Sequence, residues 1–212
     1  MKSVLVLAGP SAVGKTTVAK NILSVDARFE LIRSATTRQA RGDGNDGEYL
    51  YFTREEFLSM LGTGDMLEST EYGGNLYGTP RLEIERVHSE GKIPLLILDI
   101  RGVCTVKSQK HDFACISVYI WDTLDVMAKR LALRYKDSDD GKARLEGRLK
   151  ENLSDYRGIL QSADFFDAFV KNDGIESAGA KILEEFERMT GGGERESDAI
   201  QSIAEQLYES AK

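Results

Sequence analysis

Short apolar runs separated by longer polar segments divide the chain. Three of these runs predict core strands, at residues 4–8 (VLVLA), 93–100 (IPLLILDI) and 114–120 (ACISVYI). Nearly continuous apolar runs of this length are typical of parallel strands that are buried on both faces. The segment TTVAKNILSV, which follows the first run, has the composition and spacing of a helix. The pattern therefore predicts an α/β fold with a parallel-sheet core flanked by helices.

Two polar segments interrupt this core pattern. Residues 33–80 are rich in glycine and contain a β-like piece at 48–52 and a helical piece, REEFLSML. We interpret them as a small β-rich insertion that carries function. Residues 124 to about 160 are charged and helical in period, with the polar stretch YKDSDDGKA between two halves. We interpret this second segment as a lid.

The last part of the chain predicts two more helices. Residues 177–189 read as one helix, and three glycines at 191–193 read as a linker. An apolar stripe then recurs at helical spacing on a final amphipathic helix, at Ala199, Ile200, Ile203, Ala204 and Leu207. This helix could pack on the body or mediate self-association, so the chain could be a monomer or a homodimer.

Composition limits the possible functions. The 212 residues, of which 41% are hydrophobic, suit one α/β core with small inserted subdomains. A net charge of −7 argues against a broad basic face that binds nucleic acid. Cys104 and Cys115 have neither the number nor the spacing of a disulfide framework or a zinc site, so we expect a reducing, cytoplasmic protein. No segment is apolar enough to predict a membrane span.

Directly after the first apolar run lies the sequence GPSAVGKTT, which we call the P-loop (residues 9–17). It fits the pattern G-x-x-x-x-G-K-[ST], and its position between a strand and a helix argues against a chance glycine-rich turn. Such a loop curls its N–H groups around phosphates, its lysine reaches the β- and γ-phosphates, and its hydroxyl ligates Mg²⁺. The pattern predicts a nucleoside triphosphate bound by Gly9, Pro10, Ser11, Ala12, Val13, Gly14, Lys15, Thr16 and Thr17, with Mg²⁺ on Thr16, and does not say what is done with it.

Arginines form two groups in this acidic chain. One group lies in the insertion, at Arg33, Arg38 and Arg41, and the other in the lid, at Arg130, Arg134, Arg144 and Arg148. A single arginine of this kind is usually a solvated surface charge. Two groups beside a P-loop instead favour phosphoryl transfer between two anionic substrates, which needs cations on both sides.

Several further motifs resemble the guanylate kinase family of nucleoside monophosphate kinases over most of the chain. Residues 34–41 resemble the S-x-T-T-R-x-x-R phosphate clamp, and DMLESTEYGGNLYGTP resembles the segment with a guanine-reading glutamate. FFDAFVKNDG resembles the F-D-x-x-x-x-N-D segment near the adenine site. The resemblance implies ATP-dependent phosphorylation of GMP, in a domain of residues 1–190 with a GMP-binding subdomain at 33–80, a lid at about 124–150 and a separate tail at 191–212.

The resemblance also implies roles for individual residues. The residues that it implies for acceptor binding are Ser34, Arg38, Arg41, Tyr49, Glu68, Tyr77, Thr79 and Asp99. Those that it implies for catalysis are Lys15, Arg38, Arg134 and Arg148. Arg130 and Asn172 would bind ATP together with the P-loop. These roles are chemically sensible, since arginine pairs bind phosphate and a carboxylate accepts from the N1–H and 2-amino groups of guanine, which adenine lacks.

One position departs from the family pattern. Arg101 stands where the family has a second acid after Asp99, and a guanidinium can only donate hydrogen bonds. An arginine in the acceptor site would weaken or reshape guanine selectivity, so a kinase for another monophosphate or a sugar phosphate remains an alternative. A non-catalytic protein-binding module of the same fold is a second alternative, although Lys15 and Thr16 are intact.

Overall fold

The computed structural model describes residues 2–40, 47, 49–72, 74–136 and 140–212. Its core is a parallel sheet of five strands. The strands are β1 (Ser3–Ala8), β2 (Phe29–Leu31), β7 (Ile93–Ile97), β8 (Ala114–Trp121) and β9 (Ala168–Lys171). Their order across the sheet is β2-β7-β1-β8-β9. Because β1 lies at the centre, its carboxyl end opens where the strand order reverses, which is the usual ligand-binding position in such sheets.

The three predicted core strands are present, and the second is shorter than predicted. β7 ends at Ile97, and helix α4 (Ile100–Lys107) begins three residues later. The reason is the side chain of Asp99, which accepts a hydrogen bond from the Gly102 N–H at 2.7 Å and so caps the new helix. The fold class predicted from the sequence is therefore confirmed.

Helices cover the core sheet. They include α1 (Lys15–Val25), which packs on α7 (Ile175–Thr190), and α3 (Arg81–Ser89), which packs on β7. α4 contacts both β1 and β8. All the residues of β1 from Val4 to Ala8 are fully buried beneath these layers, so the loop that follows β1 starts from a rigid base.

The predicted insertion forms a second, smaller sheet. Its strands are β3 (Ser34–Thr36), β4 (Tyr49–Tyr51), β5 (Met66–Tyr72) and β6 (Asn75–Pro80), in the order β4-β3-β6-β5. Helix α2 (Arg54–Thr63) starts at a capping box between Thr53 and Glu56. The insertion has its own small core, formed by Ala35, Phe57, Met66 and Leu76.

The predicted lid consists of two helices, α5 (Leu124–Tyr135) and α6 (Gly141–Ser162). Residues 137–139 between them lie outside the described part of the chain. The second half of α6 packs into the core through Tyr156 and Ile159, which are fully buried. α6 therefore links the lid directly to the core of the protein.

The final helix α8 (Ser197–Ser210) packs on α6. Of the two possibilities that the sequence left open for this helix, the structure shows packing on the body of the protein. Ile200, Ala204 and Leu207 are buried there, and the Arg157 side chain of α6 donates to the Ala211 carbonyl at 2.8 Å. In the described ranges, none of the helices has the length and apolarity needed to cross a lipid bilayer.

The packing of α8 predicts that Leu207→Ala destabilises the whole protein. Leu207 is 4% exposed, and truncation of a buried leucine costs about 2 to 4 kcal/mol. We expect a decrease of this size in the free energy of unfolding, measured by urea denaturation. Gln206→Ala, at an exposed position of the same helix, should change it by less than about 0.5 kcal/mol. Equal effects of the two substitutions would contradict the observed packing.

Candidate active site

The P-loop joins β1 to α1, as the sequence predicted. Its two glycines cannot be replaced without a clash, because a Cβ on Gly9 would lie 2.1 Å from the Ile120 carbonyl oxygen and one on Gly14 would lie 2.5 Å from the Asn172 amide nitrogen. Both glycines also have positive φ angles, of 146° and 104°. The loop is thus packed tightly between the ends of β8 and β9.

The carbonyl groups of residues 9–13 all accept hydrogen bonds from side chains. Lys15 Nζ donates to the carbonyls of Gly9 at 2.7 Å and Pro10 at 3.0 Å. The carbonyl of Val13 accepts from Arg130 at 3.1 Å and Asn172 at 2.6 Å. The remaining carbonyl groups, of Ser11 and Ala12, accept from Asn152 and Arg130. With its carbonyls held in this way, the loop is free to present amide groups to an anion.

Lys15 lies at the base of this loop. Desolvation by the surrounding protein lowers the pKa of its ammonium group from 10.5 to about 8, against the opposing charge of Asp155. Arg148 and Asp99 are the next charges that act on it. An ammonium group that hydrogen-bonds only backbone carbonyls is poorly neutralised, so an anion at the P-loop would be a favourable partner for it.

Two residues that the sequence assigned to ATP support the P-loop from outside. Arg130 of α5 donates to the loop and pairs with the buried carboxylate of Asp122 at 3.1 Å. Asn172 follows β9 and is 4% exposed. Its Nδ2 donates to the loop, whereas its Oδ1 is buried with no hydrogen-bond partner. An unpartnered buried acceptor of this kind fits the donor group of a ligand.

A pocket of about 160 Å³ lies between the inserted sheet and the end of β7. It is lined by predicted acceptor-binding residues, including Ser34, Tyr49, Glu68, Tyr77 and Asp99. Glu68 is 7% exposed, and the Thr79 hydroxyl donates to its carboxylate at 2.7 Å. Burial is the main cause that raises the pKa of Glu68 to about 7; the Thr79 hydrogen bond opposes this shift and the neighbouring charge of Asp99 contributes to it.

Arg38, Tyr49 and Tyr77 form a group at the mouth of this pocket. The Arg38 guanidinium lies 5.2 Å from the centre of the Tyr49 ring, and the rings of Tyr49 and Tyr77 are 6.3 Å apart. The backbone N–H of Arg38 is fixed by the Thr36 hydroxyl at 3.1 Å. Arg38 Nε is buried without a hydrogen-bond partner, so a cation and two phenols meet at a position suited to a phosphate.

A wider cleft of about 620 Å³ continues from this pocket toward the lid. Asp99, Arg101 and Arg148 line it, together with Asp155. Burial raises the pKa of Asp155 to about 6, and the charge of Lys15 opposes that shift. The cleft therefore extends from the acceptor pocket to residues whose charges act on the P-loop lysine.

The other predicted site residues are placed less centrally. Arg41 lies outside the described residues, and Arg134 is exposed near the end of α5. Arg144 of α6 pairs with Asp140, the residue that precedes this helix, at 2.7 Å, and does not line the cleft. Thr16 and Thr17 are exposed in the first turn of α1, where a hydroxyl is open to a ligand.

Sequence reasoning missed Asn152 and Asp155, both on α6. The signal was present, because residues 148, 152 and 155 follow helical spacing and place three polar side chains on one face. Charged residues are so common in this segment that the stripe could not be distinguished from a solvated face.

A magnesium ion fits these residues in the way usual for a P-loop. Within the described ranges no group of three or more acidic, histidine or cysteine side chains could hold a metal ion. Mg²⁺ is usually held by one or two protein oxygens, substrate phosphates and water. The exposed Thr16 hydroxyl is a suitable protein ligand of this kind, whereas the Asp99 carboxylate already caps α4.

Comparisons with known proteins show which family the chain resembles in sequence and in fold. The family model described as guanylate kinase matches residues 1–189. A guanylate kinase of Synechocystis is 36% identical over 180 residues, which are 84% of this chain and 90% of that protein. One from Bacillus subtilis is 34% identical over 180 residues, or 84% of each chain. The fold is similar to that of a guanylate kinase structure from Anaplasma phagocytophilum, with a TM-score of 0.62 and 24% sequence identity. The alignment covers 96% of this chain and 86% of that one.

The burial of Glu68 predicts a pH-dependent cost to stability. The carboxyl titrates near 4.5 in the unfolded chain and near 7 in the folded protein, so the folded state holds an extra proton between these values and its stability falls as the pH rises through them. Glu68→Gln removes this titration. We expect the variant to be more stable than the wild type at pH 8, by up to about 3 kcal/mol, and the difference to shrink toward pH 5.

Urea unfolding at both pH values measures this effect. Glu71→Gln, at an exposed position of the same strand, is the matched control and should show the same stability difference at both values. A Glu68→Gln difference that does not change with pH would show that Glu68 is not held in a proton-retaining environment.

Proposed function

Because the chain belongs to the guanylate kinase family, we propose that it is an enzyme that transfers the γ-phosphoryl group of ATP to GMP, giving ADP and GDP. The observation that carries this proposal is the position of two complementary sites on one cleft. At one end the cleft is lined by Asp155, Arg148 and Asp99, whose charges act on Lys15 of the P-loop. At the other end it joins the pocket with the Glu68 carboxylate. The same reaction would extend to dGMP.

In this proposal the pocket of 160 Å³ binds the guanine base. The Glu68 carboxylate accepts from N1–H and the 2-amino group, while Thr79 holds the carboxylate in place through its hydroxyl. Adenine has neither donor in these positions, and it would leave the buried carboxylate without the two hydrogen bonds that guanine supplies. Ionisation of Glu68 is needed for this recognition, so the raised pKa makes guanine binding stronger at neutral pH than at acidic pH.

The acceptor phosphate would lie at the mouth of the pocket. Arg38 supplies a guanidinium, and Ser34, Tyr49 and Tyr77 supply hydroxyl groups. We include Arg41 here from the sequence pattern alone. Binding most of the phosphate oxygens in this way leaves one oxygen free to attack the γ-phosphorus in line with its leaving group.

Transfer then requires stabilisation of the charge that moves between the two phosphates. Lys15 reaches the β- and γ-phosphates, and Arg148 faces the cleft. Arg130 and Asn172 keep the loop in place near the adenine end of ATP, and Arg134 would approach when the lid closes and excludes water. Mg²⁺ on Thr16, when bound, neutralises the phosphate charge.

Two alternatives from the sequence are less well supported. Arg101 lines the outer cleft and is absent from the described lining of the inner pocket, so it gives no reason to propose a different base. Loss of catalysis, as in a protein-binding module, is not favoured by a P-loop that retains both Lys15 and Thr16. A reducing cytoplasm suits the free thiols of Cys104 and Cys115.

Base selectivity tests the acceptor site. We expect Glu68→Ala to lower the ratio of kcat/KM for GMP to that for AMP by about 100-fold, because the variant loses charge-assisted hydrogen bonds to guanine. Initial rates with Mg·ATP and each acceptor give this ratio. Glu85→Ala, at an exposed position of α3, is the control and should leave it unchanged. An unchanged ratio in Glu68→Ala would mean that the guanine site lies elsewhere.

A second substitution tests the position of Arg101. Because this side chain lines the outer cleft, we expect Arg101→Ala to change the GMP to AMP ratio by less than about threefold, which corresponds to well under one hydrogen bond. The same initial-rate measurement applies. If the ratio changed by tenfold or more, Arg101 would contact the base and the alternative of another acceptor would gain support.

A further inference from the structure

Asn152 of α6 contacts the P-loop through both polar atoms of its carboxamide. The Ser11 N–H donates to Asn152 Oδ1 at 2.8 Å, and Asn152 Nδ2 donates to the Ser11 carbonyl at 3.0 Å. The side chain is fully buried. A carboxamide can both accept from and donate to one residue, which neither a carboxylate nor an apolar side chain can do. The lid helix therefore holds the backbone of one particular P-loop residue.

The residue after Ser11 has an unfavourable backbone conformation. Ala12 has a φ of 61° and is the one non-glycine residue with a positive φ in the part of the chain that the structure describes. Glycine adopts this region freely, whereas the Cβ of alanine makes it costly. Such a conformation persists only where the surrounding structure enforces it.

Contacts on both sides of Ala12 provide that enforcement. Asn152 fixes the backbone of Ser11, and Arg130 donates to the carbonyls of Ala12 at 3.4 Å and of Val13 at 3.1 Å. The Arg130 side chain is partly exposed to solvent and also pairs with Asp122. The Asn152 carboxamide, by contrast, makes its hydrogen bonds inside the protein, two with Ser11 and one with the Met127 sulfur at 3.7 Å.

We propose that Asn152 is a positioning residue for ATP binding: it holds the Ser11–Ala12 backbone in the conformation that presents the P-loop amides to phosphate. This inference rests on the proposed ATP site. It also connects the lid to that site, since a movement of α6 that displaced Asn152 would release the loop. Without this contact, only a fraction of the molecules would have a loop ready for ATP, and the apparent affinity would fall by that fraction.

Direct binding of ATP to the Asn152→Ala variant, without GMP, tests the proposal. We expect the Kd for ATP to increase about tenfold, measured by titration calorimetry. Ser117→Ala is the control, because Ser117 is also fully buried and its hydroxyl donates to the Phe165 carbonyl at 2.7 Å, away from the P-loop. It should lower thermal stability but leave the Kd unchanged. An unchanged Kd in Asn152→Ala would overturn the proposal.

A double-mutant cycle with Ala12→Gly separates positioning from a general loss of packing. Glycine at position 12 needs no enforcement, so Ala12→Gly should restore the Kd of Asn152→Ala to within about threefold of the wild type. In the wild-type background the Kd of Ala12→Gly, whatever its value, is the reference against which the double variant is compared. If Asn152→Ala weakened binding equally with alanine and glycine at position 12, Asn152 would not act through this conformation and the proposal would be wrong.

Amide hydrogen exchange provides a second test that needs no variant. In the wild-type protein without nucleotide, the Ser11 amide should exchange slowly for a loop position because Asn152 accepts its hydrogen. Rapid exchange would overturn the proposal even if Asn152→Ala failed to fold. A wild-type protein that bound no ATP would overturn the proposed function as well, whereas normal wild-type binding with an unaffected Asn152→Ala variant would overturn this inference alone.

Discussion

The candidate active site depends on where the P-loop directs its carbonyl groups. A loop that binds phosphate must turn its amides toward the ligand, and each carbonyl turned the other way needs a donor of its own. Here the donors come from four parts of the chain: Lys15 in the loop, Arg130 on α5, Asn152 on α6 and Asn172 after β9. The conformation of the P-loop is therefore a product of the whole fold, and helices α5 and α6 contribute to it directly.

In the acceptor pocket, a feature that would serve ligand binding lowers the stability of the protein without ligand. Burial of Glu68 raises its pKa to about 7, so the ionised carboxylate that the proposed guanine site needs is costly to the protein alone. Thr79 reduces that cost with one hydrogen bond, and a ligand with two donors would reduce it further. A pocket of this kind discriminates against bases that lack those donors, because such bases leave the buried carboxylate with too few hydrogen bonds.

Much of this arrangement could be predicted from the sequence, and the exceptions have physical reasons. The contact between Glu68 and Thr79 could be anticipated because both belong to one short motif of the chain. Strands β2 and β9, of three and four residues, were missed because such short apolar pieces carry no clear periodicity. Asn152 was missed because its partner, Ser11, lies 141 positions away in the sequence, and only the folded chain shows that contact.

The most direct test of the central claim is the rate of ADP release from Mg·ATP with each of a panel of acceptors: GMP, dGMP, AMP, CMP, UMP and ribose phosphates. The account predicts a strong preference for GMP, turnover that is abolished in Lys15→Ala, and turnover that is retained in Lys20→Ala, an exposed position of the same helix. Preference for another acceptor, or no turnover with any of them, would contradict it.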